Sequence, residues 1–186
     1  MPNWRRAYVP GGTYFFTLKT DGHRPLFQAP FARKVLGSLL RQCKSRWPFT
    51  IDSLVLLPDH FHTIWSLPAG DDRYSLRIAW LKKEFTKSWL ANGGEERFQS
   101  LGRKNDGRRG VWQPKFWEHT IEDEQDFDAH FDYVHWNPVK HGYARCPPEW
   151  PWSSFHRWVK RGVYPMKWEC SVEPLGIGRL NETTGE

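Results

Sequence analysis

Along the chain, stretches with apolar residues at every second position alternate with stretches where they recur every third or fourth. Residues 14–19 set Tyr14, Phe16 and Leu18 against Phe15, Thr17 and Lys19, the alternation of a strand, with Gly11-Gly12 as a flexible entry. From Phe31 the apolar positions fall at Phe31, Val35, Leu39 and Cys43, with Leu36 and Leu40 beside them, which predicts a helix ending near Trp47-Pro48. Residues 49–57 are rich in β-formers, Pro58-Asp59 signals a turn, and residues 60–67 resume an extended run broken by Pro68-Ala69-Gly70, so a hairpin is expected. A second helix follows, capped by Asp71 or Asp72, with Ile78, Leu81, Phe85 and Trp89 on its buried face and Lys82, Lys83 and Lys87 largely off it. Residues 92–110 are polar, contain glycines and crowd Arg103, Lys104, Arg108 and Arg109 together, the composition of a mobile loop. Residues 117–121 are a short fourth strand candidate, and an acidic segment then opens a third helix that is expected to stop near Asn137-Pro138.

Strand, helix, strand, strand, helix, strand is the split βαβ order. The expected architecture is therefore α+β: a ferredoxin-like antiparallel sheet (βαββαβ) with an additional C-terminal helix. Residues 1–175 read as one domain, with the Trp-rich stretch 143–168 wrapped around it and residues 176–186 as a polar, disordered tail. Twelve tryptophans serve core packing, and some are suited to stacking on unpaired bases.

Charge sharpens this picture. The net formal charge is +6, yet residues 121–132 hold six acids and no Lys or Arg, so the remainder carries +12. A polyanionic partner fits such a surface. Cys43, Cys146 and Cys170 are odd in number and far apart, without the spacing of a zinc site or disulfide framework. That composition, with no apolar run of bilayer-spanning length, leads us to expect a cytoplasmic protein with no membrane partner.

Two elements carry candidate chemistry. His60 and His62 are one residue apart on a strand, so both imidazoles share a face and can share one ion, while Phe61 points into the core. Such a pair is common without any ligand. In the third helix Phe127, Phe131, Val134 and Pro138 form the apolar stripe, and Asp126, His130, Tyr133 and Asn137 form a separate row in which Tyr133 and Asn137 are neighbours one turn apart. Two neutral imidazoles and an amide oxygen suit Mg²⁺ or Mn²⁺, and no thiolate is near to favour zinc. A phenol with pKa near ~10 benefits from such a cation when it attacks a phosphodiester.

These motifs carry a resemblance. Leu57-Pro58-Asp59-His60-Phe61-His62 with Ile64-Trp65, and the run from Asp132-Tyr133-Val134-His135-Trp136-Asn137-Pro138 to Val139-Lys140-His141-Gly142, are similar to the REP-associated tyrosine transposases, relatives of the single-tyrosine HUH transposases. Trp4-Arg5-Arg6, the segment from Gly11-Gly12 to Phe16-Thr17, the run from Trp112-Gln113 to Glu118-His119, and that from Trp150-Pro151-Trp152 to His156-Arg157 resemble the family too. The resemblance implies His60, His62 and Asn137 as metal ligands and Tyr133 as the nucleophile that forms a 5′-phosphotyrosine and leaves a 3′-hydroxyl. It also implies, as substrate, single-stranded DNA bearing repetitive extragenic palindromic hairpins, which places the protein at nucleoid DNA. Relatives occur as monomers and as homodimers, so the oligomeric state stays open.

Candidate DNA contacts are Arg5, Arg6, Lys82, Lys83, Arg108, Arg109, Lys115 and Lys140, each of which reads equally as a solvated charge. His119 and His130 are accessory candidates, the first lining the site or making a structural hydrogen bond, the second assisting proton transfer. Two other functions fit the residues: a hairpin-DNA binding protein that does not cleave, and a zinc hydrolase using His60, His62 and a carboxylate, Asp59 or Glu118.

Overall fold

The computed structural model describes residues 7–166 together with Trp168, Cys170 and Leu180. Arg5, Arg6 and, apart from Leu180, the tail 176–186 lie outside the described residues. The elements in chain order are β1 (Thr13–Lys19), α1 (Pro30–Arg46), β2 (Thr50–Leu56), β3 (His60–Ser66), α2 (Tyr74–Ala91), α3 (Leu101–Asn105), β4 (Trp117–Thr120), α4 (Glu124–Lys140) and α5 (Phe155–Lys160).

The four strands form one antiparallel sheet in the order β2-β3-β1-β4, the ferredoxin-like arrangement expected from the pattern. Strand alternation then sorts the side chains between two cores. Tyr14, Phe16, Leu18, Phe61 and Trp65 pack against α1 and α2, while Phe15, Val55 and Ile64 pack against α4 and α5. The sheet is thus covered on both faces, and α4 is the extra helix that closes the second one. Each large apolar side chain withdrawn from water in these layers contributes about 1.5–3 kcal/mol.

Pro30 opens α1, a position whose N–H has no helical partner to lose. Its buried face is Ala32, Leu36, Leu39, Leu40 and Cys43, rotated slightly from the expected stripe so that Phe31 stays exposed and Val35 is half-buried. Neither Asp71 nor Asp72 is the N-cap of α2; that position belongs to Arg73, which makes no side-chain cap. Asp71 accepts the Arg73 backbone N–H at 2.8 Å and the buried Arg77 guanidinium at 2.7 Å instead. The Arg77 hydrogen bond holds the Asp71 carboxyl well below the usual carboxylate range. Asp71 serves a buried ion pair because Arg77, one turn into the helix, needs an anion to offset its burial.

Three further expectations are corrected. Residues 92–110 are not an open loop: Ser100 caps α3, Gln99 is buried and bonds Asp21 Oδ2 at 3.2 Å, and Arg24 donates to the carbonyls of Glu95 and Gly110. A Cβ at Gly110 would lie 2.2 Å from the Arg97 carbonyl oxygen, so the backbones approach there only because the residue is glycine. The last long helix does not stop at Asn137-Pro138 but runs on to Lys140 with Pro138 inside it. The missing proline N–H costs one helical hydrogen bond, and burial of Val134, Trp136, Asn137 and Pro138 holds the turn in place. Finally, Cys146 and Cys170 are joined by a disulfide across 24 residues, whereas Cys43 is a buried free thiol pushed up to about 11 by burial. Among the described residues no helix is long and apolar enough to cross a membrane.

On α4, His135 is fully buried, with Nε2 2.8 Å from Ser154 Oγ and Nδ1 3.2 Å from the Tyr164 hydroxyl. Burial pushes its imidazole down to about 3. An unfolded histidine titrates near ~6.5, so below that pH the unfolded chain binds a proton that the folded chain refuses, and stability falls by about 1.4 kcal/mol per pH unit. This loss starts near pH ~6.5 and levels off at the folded value. Chemical denaturation at pH 7 and pH 5 checks it: His135→Gln should shrink the difference between the two by about 2 kcal/mol. An unchanged difference would show that His135 does not bear the penalty.

Candidate active site

The paired imidazoles sit at the start of the central strand β3, both buried, with ring centroids 4.9 Å apart. Each is oriented from behind. Asp59, the residue that turns the hairpin, accepts from His60 Nδ1 at 2.7 Å, and Thr17, paired with His62 across β1, places its Oγ1 2.8 Å from His62 Nδ1. Burial would raise the Asp59 carboxyl, but its hydrogen bonds to His60 and His23 outweigh this and hold it at about 2. His23, which occupies the second Asp59 oxygen, is the one non-glycine residue with positive φ (53°) among those described. With both Nδ1 atoms engaged by orienting partners, Nε2 is the atom of each ring that could meet an ion, the arrangement metal-binding histidines use.

α4 brings the second element. The Tyr133 ring stands edge-on to His62 with centroids 5.4 Å apart and edge-on to Phe15 at 5.9 Å. Lys140, two turns further along the same helix face, donates from Nζ to the Tyr133 hydroxyl at 3.1 Å. Asn137, between them, is fully buried, and so is Tyr133. The tyrosine ring therefore lies against His62 but is covered from solvent. Lys140, a DNA-contact candidate by sequence, thus sits seven residues along the helix face on Tyr133, a spacing visible in the sequence. Asp59 and Thr17, which orient the histidines, and His141, whose ring lies 5.3 Å from that of His60, carry no local signal for these roles.

The accessory candidates are held elsewhere. His119 Nε2 is 2.8 Å from Asp126 Oδ2, His130 Nδ1 is 2.9 Å from Asp126 Oδ1, and the two rings stack with centroids 4.5 Å apart. Burial lowers the His130 imidazole below its ordinary value. Burial also works against ionisation of Asp126, but the Glu122 N–H and His119 override it and lower its pKa. This cluster lies on the same sheet face as Tyr133, with the Phe15 ring 4.9 Å from His130.

Of the basic candidates, Arg108 and Lys115 share a groove of about 480 Å³ with Arg103, and Lys82, Arg108 and Arg109 line a second of about 260 Å³. Lys82 is partly tied up by the Gln113 carbonyl at 2.5 Å and Arg109 by both oxygens of Glu96 at 2.6 and 2.8 Å. Lys83 is exposed and lines neither groove.

Two buried imidazoles with fixed Nδ1 partners and a buried amide on the facing helix form a donor set that fits a hard or borderline divalent ion. The carboxylates offered by a zinc-hydrolase reading do not complete it. Glu118 pairs with Phe16, projects from the opposite sheet face and accepts from Tyr74 at 2.7 Å, while Asp59 is spent on His60 and His23.

No family model matches the chain. A REP-associated tyrosine transposase of Escherichia coli is 38% identical over 178 residues, spanning 96% of this chain and 97% of its own length. A Haemophilus influenzae relative bearing the same family name is 39% identical over 168 residues, spanning 90% and 93%. The solved structure of a REP-associated tyrosine transposase bound to a REP hairpin superposes with a TM-score of 0.75 at 38% identity, covering 91% of this chain and 92% of that one. Identity at this level over nearly the full length of both curated relatives places the chain in the family of REP-associated tyrosine transposases.

Proposed function

We propose that the protein is a metal-dependent endonuclease and strand transferase that acts on single-stranded DNA at repetitive extragenic palindromic hairpins, through a covalent link to Tyr133. The observation that carries this is the meeting of the Tyr133 ring, the His62 ring and the Lys140 ammonium at one point between α4 and β3. A relative captured on such a hairpin supplies the substrate class.

In this reading the Tyr133 oxygen loses its proton and attacks a backbone phosphorus, the bond to the 3′-oxygen breaks, and that oxygen takes up a proton to leave as a 3′-hydroxyl. The phosphate ends on tyrosine as a 5′-phosphotyrosine, an ester of similar energy, so a 3′-hydroxyl can reverse the step without ATP. Lys140 stabilises the developing phenolate from 3.1 Å. His60, His62 and Asn137 would hold Mg²⁺ or Mn²⁺, which when bound polarises the phosphate. The grooves lined by Lys82, Arg103, Arg108, Arg109 and Lys115 would carry backbone phosphates.

The complete burial of Tyr133 favours one other reading, a hairpin-binding protein that does not cleave. A labelled hairpin oligonucleotide with a single-stranded flank, incubated with the protein and Mn²⁺ or Mg²⁺, separates them: cleavage through tyrosine leaves an SDS-resistant protein–DNA adduct. Lys140→Ala should slow adduct formation by roughly 10- to 100-fold with hairpin affinity retained. Binding without any adduct would leave the second reading standing.

A further inference from the structure

At the sheet edge, three metal-ligating side chains converge from two elements. Asp126 and His130 are one turn apart on α4, so they share a helix face. His119 pairs with Phe15, which turns its ring toward α4. The result is a triangle: His119 Nε2 lies 2.8 Å from one Asp126 oxygen, His130 Nδ1 lies 2.9 Å from the other, and the three ligand atoms fall within 4.8 Å of one another. Neighbouring ligands at right angles around an ion with ~2.1 Å bonds lie ~3 Å apart, close to these spacings, so a metal entering the triangle would replace the hydrogen bonds that now hold it, including that from His130 Nδ1 to the Asp126 carbonyl at 3.0 Å. Among the described residues this is the one grouping of three His, Cys or acidic ligands at such spacing.

Two features favour a cation here. The two imidazoles stack with centroids 4.5 Å apart and near-parallel planes, so one ion can meet both of them beside the Asp126 carboxylate. Asp126 lies in the acidic stretch 122–132, which holds six acids and no Lys or Arg and so favours cations near it. Asp126 and His119 also keep 20% and 27% of their side-chain surface exposed, which leaves an entry path.

We propose that His119, Asp126 and His130 form a second divalent-metal site, of the class that accepts Zn²⁺, Co²⁺ or Ni²⁺, which clamps edge strand β4 to the tyrosine helix. Imidazole nitrogen with a single carboxylate suits these ions better than Mg²⁺. The clamp ties the position of α4, and with it Tyr133, to metal supply. It does not depend on the DNA chemistry proposed above, because it concerns binding alone.

The test uses the full chain with both His60 and His62 replaced by Ala, which removes the first site. Titration with Co²⁺, followed by its visible absorption and by calorimetry, should give one equivalent per chain. Saturating Co²⁺ or Zn²⁺ at 100 times Kd should raise Tm by roughly 5 °C or more. Adding His119→Asn should abolish both signals while the metal-free Tm stays near that of the parent. His130→Gln is the second variant, for the case where His119→Asn perturbs the strand. No bound equivalent in the parent, or binding unaltered by both further substitutions, would overturn the proposal.

Discussion

Tyr133→Phe should reduce strand cleavage by roughly 10⁴-fold or more while hairpin binding persists, because in the proposed reaction the substitution removes the attacking oxygen and keeps the ring. The structural cost is small. The ring keeps its edge-on packing with His62 and Phe15, and the lost hydroxyl leaves the Lys140 ammonium without that acceptor. A hydrogen bond to a charged group contributes about 1.5–3 kcal/mol where it is buried, and an exposed route for Lys140 to water lowers that figure. Gel-shift affinity and adduct yield, measured on the same preparation, separate chemistry from binding. Retained cleavage in Tyr133→Phe would move the nucleophile to another residue.

Replacing His62 by Ala should be nearly as damaging, and for a different reason. His62 stands edge-on to the tyrosine, is oriented by Thr17, and stacks on Phe15 at 5.5 Å, so its loss would remove a proposed metal ligand and a packing partner of Tyr133 together. A loss of about 10³-fold or more in cleavage is expected, with weaker dependence on Mn²⁺ or Mg²⁺ concentration in what remains. His60→Ala should behave alike, with one added consequence: Asp59 loses the hydrogen bond that contributes most to holding its carboxyl near 2, so its pKa rises. Cleavage rates across metal concentration, with a melting curve for each variant, distinguish loss of the ion from loss of fold. A variant that is folded and still cleaves at the parental rate would show that these imidazoles do not hold the working metal.

Much of this architecture was legible in local periodicity. The alternation in β3 predicted that His60 and His62 would share one face while Phe61 pointed to the opposite one, into the core, and Phe61 does lie in the core against α1 and α2. The row holding Tyr133 and Asn137 followed from helical geometry alone. What escaped the sequence depends on contacts made at a distance. Whether Pro138 ends a helix is decided by burial of the turn around it, not by its own dihedral preference. Residues 92–110 looked mobile because their hydrogen-bond partners, Asp21 and Arg24, lie far back in the chain. The Cys146–Cys170 bond has no spacing signature, since chain path alone brings the two sulfurs together. The packing of Tyr133 likewise involves residues distant in sequence, Phe15 on β1 and His62 on β3.

The central claim is that one phenol takes the phosphate. It is tested most directly by incubating the full chain with a hairpin oligonucleotide and Mn²⁺, digesting the covalent product and mapping the modified peptide by mass spectrometry. The account predicts a nucleotide esterified to Tyr133. A nucleotide on any other side chain, or cut strands with free 5′-phosphates and no modified peptide, would contradict it.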